Sequence, residues 1–267
     1  MPDVLNFDGY FFDLDGTLFL GSQLLPGVRD TLEVLRQAGK SIWFLTNTTT
    51  RTREDCRIRL QQLGLEADVE EIVTAAFVSA VYLREQQNCN VLVVGEPALI
   101  RELEEQGIPY TTDALAATHV LVGMDMHFTY DKLHQAMKAV LGGAALIAAN
   151  PDPSCPIMGD IIPDTWSMVK AIEAASGVAP LTVIGKPSLY YGSKVLEWSG
   201  LAAERCLMVG DRLETDIMFG INNGIRTALV LTGVTSIEDM EKFPSKPDYV
   251  WATLHDFTAL CRGRLRA

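Results

Sequence analysis

Short apolar runs recur along this chain, and almost every one is followed by a stretch whose apolar residues repeat at helical spacing. Residues 10–14 and 41–45 read as buried strands, as do 91–94, 119–122, 145–149, 181–184, 206–209 and 227–231. Helical periods fill the gaps at 28–38, 97–106, 130–141, 163–175, 188–199 and 215–223, and Gly39 suits a left-handed cap at the end of the first. Strands that alternate with helices fold into parallel sheets covered on both faces. The expected class is therefore α/β, a doubly wound parallel sheet. Sheets of this kind place their sites beyond the carboxyl ends of the strands, near a switch in strand order.

The residues that follow each apolar run therefore matter most. They are Asp13-Leu14-Asp15-Gly16-Thr17, Thr46-Asn47, Gly185-Lys186-Pro187 and Gly210-Asp211-Arg212. Asp13 and Asp15 are two apart, so in an extended chain both carboxylates project to one side. Two such charges repel unless a cation lies between them or one is protonated. Beside a phosphate substrate the natural cation is Mg²⁺, and Asp211 would supply a third carboxylate. Lys186 and the Thr46 hydroxyl would hold phosphate oxygens, one by charge and the other by direction. The set describes phosphoryl transfer in which Asp13 attacks phosphorus. Asp15 would protonate the leaving alkoxide and then deprotonate a water.

Each residue alone has a plainer reading. Asp15-Gly16 is a common turn pair, and a lysine before a proline can be a surface residue. Asn47 serves as a turn or helix-start residue as readily as a phosphate contact. Asp216 either orients a ligand from behind or simply favours the start of its helix. Joint occurrence, in order and each after a strand, is what gives the set its meaning.

Bulk properties narrow the partners. The 267 residues are 48% hydrophobic and 21% charged, enough for a large core or two modest ones. A net charge of −12 disfavours nucleic acid. No apolar run reaches the roughly 18 residues that a membrane helix needs. No signal peptide is evident, and five scattered cysteines without a CxxC pair fit a reducing cytoplasm better than a disulfide framework. The expected partner is a small phosphorylated metabolite.

These residues resemble the four motifs of the haloacid dehalogenase (HAD) superfamily. Asp13-Leu14-Asp15-Gly16-Thr17 is similar to its DxDGT signature, Thr46 to the second motif, Lys186 to the third, and Asp211 with Asp216 to the fourth. Val122-Gly123-Met124-Asp125, Phe128-Thr129-Tyr130 and Asn150-Pro151-Asp152 resemble the NagD and p-nitrophenyl phosphatase branch, subfamily IIA. The resemblance implies a Rossmann-like catalytic core from residues 1–87 and 181–267 with an inserted α/β cap at 88–180. It also implies a mobile or dimer-forming cap, hence a homo-oligomer through it, and phosphomonoester substrates such as sugar phosphates or nucleotides. The chain departs from the branch at Thr48, where another Asn is frequent, and at Trp166, where the branch is small and glycine-rich. Both departures bear on substrate rather than chemistry.

Two other functions use similar parts. A phosphotransferase or mutase would also phosphorylate Asp13 but pass the group to a second hydroxyl. A signalling receiver combines an Asp, a Thr and a Lys on a parallel sheet, but it needs neither Asp15 nor a cap-sized insertion. A dinucleotide-binding oxidoreductase is disfavoured because no GxGxxG follows the first strand.

Overall fold

Gly9–Phe12 is the pivot of the fold. Its four residues are all buried, as a strand covered on both faces requires. In the computed structural model, which describes residues 5–157 and 160–265, this strand has Ser41–Thr46 on one side and Cys206–Gly210 on the other, both parallel to it. Ile72–Thr74 extends the sheet beyond Ser41–Thr46, and Arg226–Val230 then Tyr249–Trp251 extend it the other way. The chain thus runs outward from Gly9–Phe12 in one direction and returns later to build the opposite side. The switch in strand order lies beside Gly9–Phe12, and the register pairs Phe12 with Val209. Asp13 and Asp211 therefore emerge from neighbouring strands at the same end of the sheet.

The chain divides into two compact units. The first holds this six-stranded sheet and comprises residues 1–46, 57–73 and 186–267. Its Val28–Gln37 helix buries Val28, Thr31, Leu32 and Leu35, one stripe at helical spacing. Burial of each leucine stabilises the fold by roughly 1.5–3 kcal/mol. Thr31 sits in that stripe because its hydroxyl donates to the Leu254 carbonyl at 3.1 Å, which satisfies the polar group.

The second unit comprises residues 47–56 and 74–185. Its own five-stranded sheet has the order Thr182–Val183, Ala145–Ala148, His119–Val122, Val91–Val94, Tyr110–Thr111, all parallel. The Tyr130–Leu141 helix begins where Thr129 accepts a hydrogen bond from the Lys132 N–H. The Thr165–Ser176 helix ends at Gly177, whose positive φ suits the left-handed cap. A hairpin, Ser154–Ile157 with Asp160–Pro163, is antiparallel. Several elements differ from the sequence reading, two of them in this unit. The strand expected at 181–184 shortens to Thr182–Val183 and joins the second sheet. The Ala75–Arg84 helix, absent from that reading, falls in the second unit. All five cysteines are free thiols. Among the described residues no helix is long and apolar enough to cross a membrane.

Candidate active site

Asp13 begins where Gly9–Phe12 ends, and its N–H donates to the Val209 carbonyl at 2.9 Å. Asp211 follows Cys206–Gly210 directly. A π-helical turn at Leu213–Ile217 brings Asp216 back over the same strand end, an irregularity frequent at functional sites. There the Arg212 N–H donates to Asp216 Oδ2 at 3.1 Å. Gly210 makes the approach feasible, since a Cβ at that position would collide with the Asp216 side chain. The result is one group of three acids, Asp13, Asp211 and Asp216, with a carboxylate oxygen of each within 4.8 Å of the others.

Lys186 is fully buried among them. Its ammonium donates to Asp13 Oδ1 at 2.7 Å, Asp216 Oδ1 at 2.7 Å and the Leu45 carbonyl at 3.0 Å. Those contacts use the three donors of an ammonium. Burial works against its charge, but the carboxylates of Asp13 and Asp216 outweigh burial, and Lys186 holds its proton more tightly than an ordinary lysine. Tyr191, also buried, braces the strand ends by donating to the Val73 carbonyl at 2.7 Å and the Thr46 carbonyl at 3.4 Å.

Asp211 is held between two glycine backbones. A Cβ on Gly16 would lie 2.5 Å from Asp211 Oδ2, and one on Gly233 would overlap the same carboxylate. The Val234 N–H donates to Asp211 Oδ2 at 2.8 Å, and the Thr232 hydroxyl ties the two loops by donating to the Gly16 carbonyl at 2.7 Å. Asp211 Oδ1 is buried and accepts no hydrogen bond. A lone buried carboxylate oxygen is costly unless a proton or cation reaches it.

Three carboxylates around one ammonium leave two negative charges in a largely buried space. Burial raises the Asp13 carboxyl well above the ordinary range; Lys186 opposes the rise, and Asp216 and Asp211 add to it. Burial, then Asp216, pushes Asp211 up to about 6. A divalent cation balances this charge and satisfies Asp211 Oδ1, so the residues present fit Mg²⁺. Asp13 and Asp211 would hold it. Both oxygens of Asp216 already have partners, which makes it a support behind the other two.

This charge balance predicts a specific pH dependence. The folded, metal-free chain keeps a proton on Asp211 up to about pH 6, against 3.8 for the ordinary carboxyl. That proton stabilises the fold below about pH 4, and the contribution of roughly 3 kcal/mol is lost as pH rises through about 6. Mg²⁺ should therefore raise the melting temperature more at pH 7.5 than at pH 5, relative to samples in EDTA. Equal increments at both pH values would contradict the assignment.

The remaining expected residues are placed as follows. Thr46 is buried at the end of Ser41–Thr46. Asn47 lies across the boundary in the second unit, where its amide donates to Asp152 Oδ2 at 3.1 Å. The Asp15 carboxylate does not join the acid cluster, which corrects its expected place beside Asp13 as a ligand. The strand stops at Phe12, so alternation along an extended chain does not reach Asp13 and Asp15. Instead Gly16, with φ of 91°, turns the chain, and Asp15 pairs with Arg59. Arg59, Tyr191 and the Thr232–Val234 loop were absent from the sequence reading. The loop had a signal, a Thr-Gly pair just after an apolar run. Tyr191 and Arg59 lie within helices and had none.

Comparison with known proteins adds to this geometry. The profile of a family described as haloacid dehalogenase-like hydrolase matches residues 10–109, and a HAD-hydrolase-like profile matches residues 183–257. The chain is 37% identical over 253 residues to the sugar-phosphatase AraL of Bacillus subtilis, covering 94% of this chain and 92% of that protein. Among solved structures it is similar to a 4-nitrophenylphosphatase from Thermotoga maritima, with a TM-score of 0.90, 34% identity, and 96% and 97% of the two chains covered. It is similar also to NagD from E. coli K-12, with a TM-score of 0.87, 31% identity, and 94% and 98% covered.

Proposed function

We propose, from the premise that this chain belongs to the haloacid dehalogenase-like hydrolases and to their NagD-like branch, that it removes phosphate from small sugar phosphates through a phosphoryl group carried on Asp13. The chain is a phosphoric monoester hydrolase acting on small phosphate esters. The observation that carries the finer reading is the exposure of Asp13. Its side chain is 13% exposed, whereas Asp216 beside it is 1% exposed and Asp211 is as deeply buried. Of the three acids, only Asp13 can meet a substrate.

Asp13 attacks phosphorus with one carboxylate oxygen, forming an acyl phosphate as the ester P–O bond breaks. Asp15 gives its proton to the departing alkoxide. In the second half, Asp15 takes a proton from a water that attacks the same phosphorus, and inorganic phosphate leaves with Asp13 restored. Lys186 favours the ionised form of Asp13 against the effect of burial and offsets the charge of the incoming phosphate. Thr46 contributes at the strand end beside them. Asp13 and Asp211 would hold Mg²⁺, which would supply positive charge beside the phosphoryl oxygens. Sugar phosphates are the favoured substrates because the relative of highest quoted identity is named a sugar-phosphatase.

The direct test is to mix enzyme and Mg²⁺ with a ³²P-labelled sugar phosphate and quench in acid within milliseconds. Label should remain on the protein, be released by hydroxylamine, and fail to appear in Asp13→Asn. Phosphate release without any protein-bound label, at quench times shorter than one turnover, would count against the covalent route.

A further inference from the structure

Arg59 is the one described arginine or lysine whose charge meets Asp15 in an ion pair. It lies on the Arg53–Gln62 helix and presents Nη1 and Nη2 to the two Asp15 oxygens at 3.3 and 3.1 Å. Two further contacts fix Arg59 independently of Asp15. Its Nη2 donates to the Gly21 carbonyl at 3.0 Å, and its guanidinium lies 4.0 Å from the centre of the Phe19 ring. Phe19 is fully buried, and its backbone is bridged to that of Asp15. The ring that seats the guanidinium and the carboxylate it grips therefore belong to one tight loop.

The Asp15 side chain is 56% exposed and that of Arg59 19%. A pair this open adds little stability, so its effect is on where the carboxylate points. In-line attack puts the leaving oxygen on the side of phosphorus opposite Asp13. A proton donor must reach that far side, which requires a carboxylate outside the acid cluster. Asp15 stands outside it.

We propose that Arg59 is a positioning residue for proton transfer, holding the Asp15 carboxylate on the leaving-group side of the phosphoryl group. This rests on the reading of Asp15 as the proton donor. Arg59 touches neither phosphate nor metal; it acts through Asp15, and its planar fork aligns both carboxylate oxygens where a lysine would hold only one.

Leaving-group dependence separates this role from a structural one. p-Nitrophenolate departs without help, whereas phenolate needs a proton. Arg59→Met keeps the stem over Phe19 and removes the fork. In Arg59→Met, kcat/KM for phenyl phosphate should fall about tenfold or more, part of the effect of a general acid, while p-nitrophenyl phosphate changes by less than about threefold. Arg59→Lys should recover part of the loss on phenyl phosphate. Asp15→Asn is the reference and should show the same selectivity, larger. If Asp15→Asn selects between the esters and Arg59→Met lowers both equally, raises phenyl phosphate turnover or changes neither, the inference about Arg59 is overturned while the proton-donor reading stands. If Asp15→Asn itself does not select, the proton-donor reading falls and takes the role of Arg59 with it.

Discussion

Asp13→Asn should lower phosphate release by on the order of 10⁴-fold or more, since a carboxamide cannot serve as the nucleophile. The same change should leave the fold intact. Lys186 keeps its bonds to Asp216 and the Leu45 carbonyl, and a site with three acids and one base loses one surplus negative charge. Metal-free Asp13→Asn should therefore melt no lower than the metal-free parent at pH 7.5. Calorimetry beside a phosphate-release assay checks both halves. Retained turnover would remove Asp13 as nucleophile. Lost turnover with a collapsed melting temperature would make its role structural.

Lys186→Met should do the reverse and destabilise strongly. The methionine is similar in length but leaves Asp13 and Asp216 without their shared cation. Removing one partner of a buried ion pair costs roughly 3–5 kcal/mol. The orphaned carboxylates can take up protons instead, so the loss should grow with pH. Urea titrations in EDTA at pH 5 and 7.5 measure it. Adding Asp216→Asn should restore part of the stability, because the second change removes a charge that the first exposed. A Lys186→Met protein as stable as the parent at pH 7.5 would show that the ammonium does not hold the cluster together.

Much of this site could be read from residue order. Asp13, Lys186 and Asp211 were found because buried strands end abruptly in charge, and a parallel sheet converts that local sign into a shared location. The failures are equally physical. Asp15 was placed beside Asp13 by strand alternation, but the strand ends at Phe12, before either residue. Asp216 was open to two readings, a support behind a ligand or a helix-start acid; a π-helical turn and a missing Cβ at Gly210, neither visible in residue order, bring it into direct contact with Lys186. The Arg53–Gln62 helix escaped notice because its apolar residues, Cys56, Ile58 and Leu60, lie two apart rather than at helical spacing, so Arg59 went with it. Residues 181–184 were correctly seen as a strand but carry no mark of which sheet they join, since pairing depends on partners far along the chain.

The switch in strand order also bears on how the chain is made. Gly9–Phe12 is synthesised well before one of its two neighbours, Cys206–Gly210. The Asp8–Arg205 pair at the start of these strands spans 197 residues. Until then a strand with three aromatic residues in succession, Tyr10, Phe11 and Phe12, has one open edge. Such edges invite pairing with other chains. Protection of this strand during synthesis falls to Ser41–Thr46, which follows it after only some 30 residues, and the chemistry waits for Lys186, 173 residues beyond Asp13.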